Sequence, residues 1–108
     1  MDAFEPADLE ARRVAAGRPY LEFVRSPELS TGLYVLPAGG VDRQSPHTED
    51  EVYVVLGGRA RIAVGSEDSP VGPGSVVFVE AGVDHRFHDI EEDLAVVVVF
   101  APPEGSRG

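Results

Sequence analysis

Hydrophobic and polar residues alternate over short distances along most of the chain. From Tyr20 onward, β-prone apolar runs are separated by clusters of Gly, Pro, Ser and Asp, at intervals of roughly 8 to 12 residues. This spacing is typical of an antiparallel sandwich or barrel. We therefore predict seven or more short strands. They are carried by "YLEFV", "GLYVLPAGG", "EVYVVL", "RARIAV", "SVVFVEAG", "HRFHDI" and "LAVVVVFAPP".

The first segment alone has a helical pattern. Pro6 suits the first turn of a helix, and in "ADLEARRVAAG" the residues Leu9, Arg13 and Ala16 lie near one face. Gly17 can cap the helix at its C-terminus. We expect a short surface helix packed against the β domain.

Two features of the apolar runs predict how the strands are arranged. "EVYVVL" and "RARIAV" flank Gly57-Gly58, which predicts a hairpin because glycines adopt the positive φ of tight turns.

The runs 52–56 and 95–100 are apolar on both faces, whereas a strand exposed on one face should alternate. A second sheet or a partner subunit should cover the outer face. We therefore expect a homodimer.

Length and charge narrow the functional classes. The 108 residues suffice for one domain, and 19 acidic against 9 basic residues give a formal net charge of -10. This balance argues against nucleic acid and anionic membranes as partners, because both require basic residues. The chain has no cysteine, no apolar run of membrane-spanning length and no signal-peptide pattern in "MDAFEPADLEARR". We expect a cytoplasmic protein.

Candidate chemistry centres on His47, Glu51 and His85. Two imidazoles and one carboxylate form a common ligand set for divalent transition metals, including the facial triad of non-haem iron sites. His47 and Glu51 are separated by an even number of residues, so both can point to one face of a strand. Each of the three lies where a strand should begin. Taken alone, such residues are more often surface or capping histidines and a solvated acidic turn than a metal site.

The spacing of these residues resembles that of the cupin superfamily. Its first motif, G-x5-H-x-H-x3-E-x6-G, matches residues 39–58, with His47 and Glu51 in place. Its second motif, G-x5-P-x-G-x2-H-x3-N, matches residues 74–89, with His85 in place. The two motifs are separated by the short distance found in compact microbial cupins.

Three positions depart from the family motifs. Ser45 replaces the first histidine, Glu80 replaces the proline and Asp89 replaces the asparagine. The last two fall in turns and should be tolerated, whereas the change at Ser45 removes one of four customary ligands. Gln44 could replace that ligand through its amide oxygen, although strand alternation points it away from His47.

The resemblance implies an all-β, cupin-type jelly-roll barrel with a short N-terminal helix. The helical extension would span residues 1–18, the barrel 19–103 and a flexible tail 104–108. The metal ligands would be His47, Glu51, His85 and Gln44, holding Fe, Mn, Zn or Ni. Iron would leave positions open for dioxygen, and the other metals favour isomerisation or hydrolysis.

The implied function is to bind or act on a small organic molecule in the barrel cavity, as a dioxygenase or an isomerase. Glu51 and Tyr53 are the candidate catalytic residues, because Tyr53 should face inward with Glu51 and could act as a general acid. Two alternatives stay open: a non-catalytic small-molecule sensor, and a metal-independent enzyme that uses a histidine as general base. His88 should face outward and not be a ligand.

Overall fold

A computed structural model describes residues 1–43 and 46–106 as an antiparallel β fold with one short helix. One sheet has the strand order β1-β2-β6-β3-β4, and β5 pairs with β3 beside β4. The all-β jelly-roll architecture predicted from the sequence is confirmed. The elements are α1 (Pro6–Ala16), β1 (Tyr20–Arg25), β2 (Ser30–Leu36), β3 (Asp50–Val64), β4 (Glu67–Val71), β5 (Val76–Val79) and β6 (His85–Ala101).

Helix α1 begins and ends where the sequence predicted. Pro6 occupies the first turn, where its missing N–H removes no intrahelical bond. Gly17 ends the helix in the left-handed region (φ 68°), and its N–H donates to the carbonyls of Arg13 and Val14. Leu9 is the buried residue of the helix, which packs on β1 and β2.

The predicted hairpin at Gly57-Gly58 is wrong. Strand β3 runs through both glycines and stays paired with β6, and its register shifts between Val55 and Arg61. Gly58 adopts φ 89°, and a Cβ there would lie 2.2 Å from the carbonyl oxygen of Asp93 in β6. The positive φ, which Gly58 adopts and Gly57 does not, therefore serves a bulge that bends a long strand. Likewise, the two runs predicted as separate strands near the C-terminus form the single strand β6.

The two long strands, β3 and β6, pair along most of their length and form the centre of the barrel. Because both bend, the sheet curls and one face closes around the interior. Alternate residues of β3 and β6 fill this interior, as the period of two requires. The inward set includes Tyr53, Val55, Ile62, Phe87, Leu94, Val96, Val98 and Phe100.

The opposite face of the sheet is also apolar. Val52 pairs with Phe78 on one side and Val99 on the other, and Val54 pairs in the same way with Val76 and Val97. Helix α1 covers the part of the outer face formed by β1 and β2. The side on β5 is open: 67% of Val76 and 61% of Phe78 are exposed. Among the described residues, no helix is long and apolar enough to cross a membrane.

Candidate metal centre

Hydrogen bonds between two loops bring the distant motif residues together. The loop before β3 carries His47, and its carbonyl accepts a 2.7 Å hydrogen bond from the N–H of Gly82 in the loop before β6. Asp50, the first residue of β3, accepts a 2.9 Å bond from the N–H of Ala81 through its side chain. These bonds fix the start of β3 against the turn that precedes His85.

His47, Glu51 and His85 form one cluster inside the barrel mouth. Each offers a ligand atom within 4.8 Å of those of the other two. His85 Nε2 lies 2.9 Å from Glu51 Oε1, and His47 Nε2 lies 3.9 Å from the same oxygen. The side chains of Glu51 and His85 are each 1% exposed, and that of His47 is 19% exposed. The cluster is therefore buried, with its more open side at His47.

The hydrogen bonding of His85 defines the chemistry of the cluster. Its Nδ1 lies 2.9 Å from the carbonyl oxygen of Val83, which can only accept, so Nδ1 carries a proton. A neutral ring then presents the lone pair of Nε2 to Glu51. Nε2 lies 2.9 Å from Oε1 of Glu51. Both oxygens of Glu51 and Nε2 of His85 are buried without a hydrogen-bond partner among the described residues.

Buried polar atoms are rarely left unpaired, and facing acceptors repel each other. A cation between them resolves both problems, either a proton on His85 or a metal ion. Burial alone would lower the pKa of His85, but Glu51 and the Val83 carbonyl outweigh burial, and the pKa lies above its ordinary value of 6.5. The arrangement thus favours a positive charge between these groups, and its two imidazoles and one carboxylate fit a divalent transition metal.

A small cavity adjoins the cluster at His47. Its volume is about 160 Å³. The other lining residues are mainly aromatic and apolar, and Glu104 contributes a carboxylate. The lining consists of Tyr20, Tyr34, His47, Val98, Phe100 and Glu104.

Glu104 was missed as a site residue because the sequence analysis assigned it to the terminal tail. Its N–H donates to Ser30 Oγ at 2.9 Å, and its carbonyl accepts a 3.0 Å bond from Arg25. Its carboxylate oxygen Oε2 lies 3.8 Å from Nδ1 of His47, which is beyond hydrogen-bond distance. No motif around Glu104 indicates this contact, since it depends on how the chain end crosses the barrel.

The remaining candidates lie in different places. Tyr53 is fully buried beside the site, its ring centroid 6.0 Å from that of His85 and 4.9 Å from that of Phe87. Gln44 and Ser45 lie outside the described residues. His88 lies away from the cluster, with Nε2 2.6 Å from a carboxylate oxygen of Asp68.

A buried carboxylate supports the cavity wall from behind. Asp42 is 6% exposed and accepts hydrogen bonds from the Tyr34 hydroxyl at 2.8 Å and from the N–H of Phe87 at 2.9 Å. Burial, followed by the charge of Asp42, raises the pKa of Tyr34, so this hydroxyl stays protonated. Tyr34 is thereby fixed as a donor to Asp42.

Comparisons with known proteins place the site in a family context. An uncharacterized protein of Streptomyces coelicolor, SCO3923, is 56% identical over 104 residues, which are 96% of this chain and 99% of that protein. The structure of TT1209 from Thermus thermophilus superposes with a TM-score of 0.73 at 25% identity, covering 95% of this chain and 99% of that one.

A DMSP lyase, DddQ from Ruegeria pomeroyi DSS-3, superposes with a TM-score of 0.66 at 26% identity. The match covers 70% of this chain but only 39% of the lyase, so this chain corresponds to about two fifths of that enzyme. Residues 32–101 match the family described as the cupin domain. That match spans most of the barrel and includes both loops of the histidine and glutamate cluster, and the chain therefore belongs to the cupin family.

Proposed function

We propose that this cupin holds a divalent transition metal between His47, Glu51 and His85 and binds or converts a small organic molecule in the adjoining cavity. One observation carries the proposal: Nε2 of His85 and the oxygens of Glu51 face each other, buried and without hydrogen bonds among the described residues. Such an arrangement is costly unless a cation lies between the groups.

A metal ion satisfies the cluster better than a proton does. A proton on Nε2 of His85 would pair with one oxygen of Glu51 and leave the second buried oxygen without a partner among the described residues. It would also not involve Nε2 of His47, which lies 3.9 Å from Oε1 of Glu51. A divalent ion can accept a lone pair from each of the three side chains, and Fe, Mn, Zn and Ni all suit this ligand set.

The residues around the cluster would serve the reaction in distinct ways. The bound ion would supply a Lewis acid at the inner end of the cavity. Val98 and Phe100 form an apolar wall that excludes water from the ligand. Tyr53 is our candidate for the general acid, since its ring lies next to that of His85. Glu51 would hold the ion and orient it toward the cavity.

The reaction type is proposed at the level of an oxidoreductase or an isomerase. Oxygen consumption with catechol or a small diketone, compared between wild type and Glu51→Gln, separates the two. Uptake of oxygen that is lost in the variant supports a dioxygenase. The likeness to a DMSP lyase supports an enzyme over a sensor. Lyase activity should therefore be assayed on the same two proteins, wild type and Glu51→Gln.

A metal-independent enzyme is the second candidate. The short contact between His85 and Glu51, and the raised pKa of His85, favour a protonated imidazole that could transfer a proton. This mechanism uses the same residues without an ion. It predicts activity that survives exhaustive chelation.

We also propose that the chain forms a homodimer through the outer face of the sheet. Val52, Val54, Val76, Phe78 and their neighbours on β6 make an apolar surface that α1 leaves uncovered. Contiguous apolar surface of this kind is unfavourable in water and is typical of subunit interfaces.

Metal content tests the proposed function. Protein purified without a histidine tag should carry close to one divalent ion per chain by inductively coupled plasma mass spectrometry. Chelation should lower its melting temperature, and adding back the native metal should restore it, because a ligand of the folded state stabilises that state. The proposal is contradicted if the purified protein contains no metal and if none of Fe, Mn, Zn and Ni changes its melting temperature.

A further inference from the structure

The carboxylate of Glu104 is the acidic group in the cavity wall. Among the described residues that line the cavity, Glu104 alone is acidic. It follows β6 and lies outside the segment that matches the family, residues 32–101. Its side chain is 37% exposed, so the carboxylate is not packed into the core. A ligand that enters the cavity therefore meets this carboxylate.

Hydrogen bonds of the main chain hold Glu104 at this place. Its N–H donates to Ser30 Oγ at 2.9 Å, and its carbonyl accepts a 3.0 Å bond from Arg25. The N–H of Gly105 donates to a carboxylate oxygen of Glu49 at 3.2 Å. None of these bonds uses the carboxylate of Glu104, whose Oε2 lies 3.8 Å from Nδ1 of His47. The chain end thus fixes the residue and leaves its carboxylate oxygens available to a ligand.

The negative charge of Glu104 lies in unfavourable surroundings. Burial destabilises this charge, whereas His47 stabilises it. Three further carboxylates repel it, those of Glu22, Glu49 and Glu51. A positively charged group beside Glu104 would offset both the loss of hydration and the repulsion.

The nearby arginine does not supply this positive charge. Arg25 pairs with Glu22 through Nη1 at 2.8 Å and donates from Nη2 to the carbonyl of Glu104, not to its carboxylate. The charges of Arg25 and Glu22 cancel. Even with a divalent ion in the cluster, the carboxylates of Glu49, Glu51 and Glu104 carry more charge than the ion. The cavity therefore favours a cation over an anion.

The rest of the wall indicates the size and the body of the ligand. Val98 and Phe100 offer only apolar contact. A volume of about 160 Å³ corresponds to about five water molecules in the liquid, so the ligand is small. A compact alkyl body with one ammonium group meets these conditions, because an ammonium group donates charge-assisted hydrogen bonds to a carboxylate.

We propose that Glu104 is a specificity-determining residue whose carboxylate binds the ammonium group of a small organic cation in the cavity. This inference rests on the proposed function insofar as it takes the cavity to be the ligand site. It does not depend on the metal. It names the class of ligand and assigns its selection to a residue that the family motifs do not contain.

Two probes of nearly equal shape test the inference. tert-Butylammonium and tert-butanol share one alkyl body and differ in a charged NH₃⁺ against a neutral OH. NMR titration of backbone amides near neutral pH gives the affinity of each probe for wild type and for Glu104→Gln, at equal metal content checked on the same samples. Glutamine keeps the size of the side chain, and the main-chain bonds do not need the carboxylate. The ratio of the two affinities isolates the charge, as in a double-mutant cycle.

We expect the preference for tert-butylammonium over tert-butanol to fall about three- to tenfold in Glu104→Gln, the effect of one charged hydrogen bond reduced by partial exposure to solvent. Glu91→Gln is the matched control, because it removes the same charge from an exposed site on β6 that does not line the cavity. This variant should keep the wild-type preference.

A preference that changes less than about twofold in Glu104→Gln overturns the inference. Equal weakening of both probes overturns it too, because Glu104 would then only shape the wall or support His47. Wild-type protein that fails to bind tert-butylammonium at tens of millimolar has the same consequence. Failure of the metal proposal is distinguishable, since it appears as absent metal in wild type. Loss of the preference in Glu104→Gln, with or without bound metal, supports the role of Glu104.

Discussion

At the scale of single residues, the environment of His85 determines what the site can bind. Its Nδ1 proton is committed to Val83, so Nε2 can serve as a ligand atom toward Glu51. His88, three residues along the same strand, is instead paired with Asp68 near the surface. Two histidines of one strand thus have different surroundings, because alternate residues face opposite sides of the sheet.

Removal of His85 should abolish metal retention. His85→Ala leaves two side chains at the cluster and is expected to reduce bound metal from about one ion per chain to near zero. His88→Ala is the matched control and should retain wild-type metal content. Mass spectrometry of the metal and circular dichroism of the sheet measure both variants. Full metal content in folded His85→Ala would remove it from the ligand set.

Metal affinity should depend strongly on pH. The pKa of His85 lies above 6.5 in the absence of metal, so the imidazole holds a proton below that raised value. A metal must displace this proton, and its affinity should therefore fall as the pH decreases through the raised pKa, by about tenfold per unit for one proton. Competition titrations with a chromophoric chelator from about pH 8 to about pH 5 give the slope. A flat profile would argue against histidine ligands.

Only part of this site could be predicted from the sequence. His47, Glu51 and His85 were identified from their spacing, because the two motifs place each of them at the start of a strand. Glu104 and Tyr20 could not be found in this way. Their positions depend on which strands pair and where the chain end crosses the barrel, and neither lies in a recognisable motif.

At the scale of elements, local signals predicted the helix and misled the interpretation of the central strand. Pro6 and Gly17 act within one helix, so the residues themselves determine where α1 begins and ends. The glycine pair at 57 and 58 is equally compatible with a hairpin turn and with a bulge, so local sequence does not distinguish the two. The outcome was decided by β6, which pairs with β3 on both sides of the glycines.

The bulge at Gly58 should be sensitive to a single methyl group. Gly58→Ala forces a positive φ on alanine and brings its Cβ against the carbonyl of Asp93, so we expect a loss of at least about 2 kcal/mol in the free energy of unfolding. Gly57→Ala is the control, because a Cβ there has no atom within 4 Å. Urea denaturation measures both. Equal stability of the two variants would contradict the role given to Gly58.

At the scale of the whole molecule, both faces of the sheet are apolar, but the described part of the chain covers only the inner face completely. The barrel closes over the inner face, and α1 packs on the outer face mainly at β1 and β2. The runs 52–56 and 95–100, which are apolar on both faces, indicated from sequence that the outer face of the sheet is apolar too. Which part stays open could not be predicted, since it depends on where α1 packs.

The open face predicts the oligomeric state. Wild type should elute as a dimer in size-exclusion chromatography with light scattering, and Phe78→Glu should shift it to a monomer, because a charge at the interface must be desolvated. Val14→Glu, on an exposed site of α1, is the matched control and should remain dimeric. A wild-type monomer at micromolar concentration would refute the interface.

The central claim is that a metal ion joins His47, Glu51 and His85 inside the barrel. Anomalous diffraction recorded across the absorption edges of iron, manganese, nickel and zinc tests it directly on crystals of untagged protein. The account predicts one peak within bonding distance, about 2.0–2.2 Å, of both Nε2 atoms and a carboxylate oxygen of Glu51. No peak at any edge, with a protonated His85 hydrogen-bonded to Glu51 in its place, would contradict it.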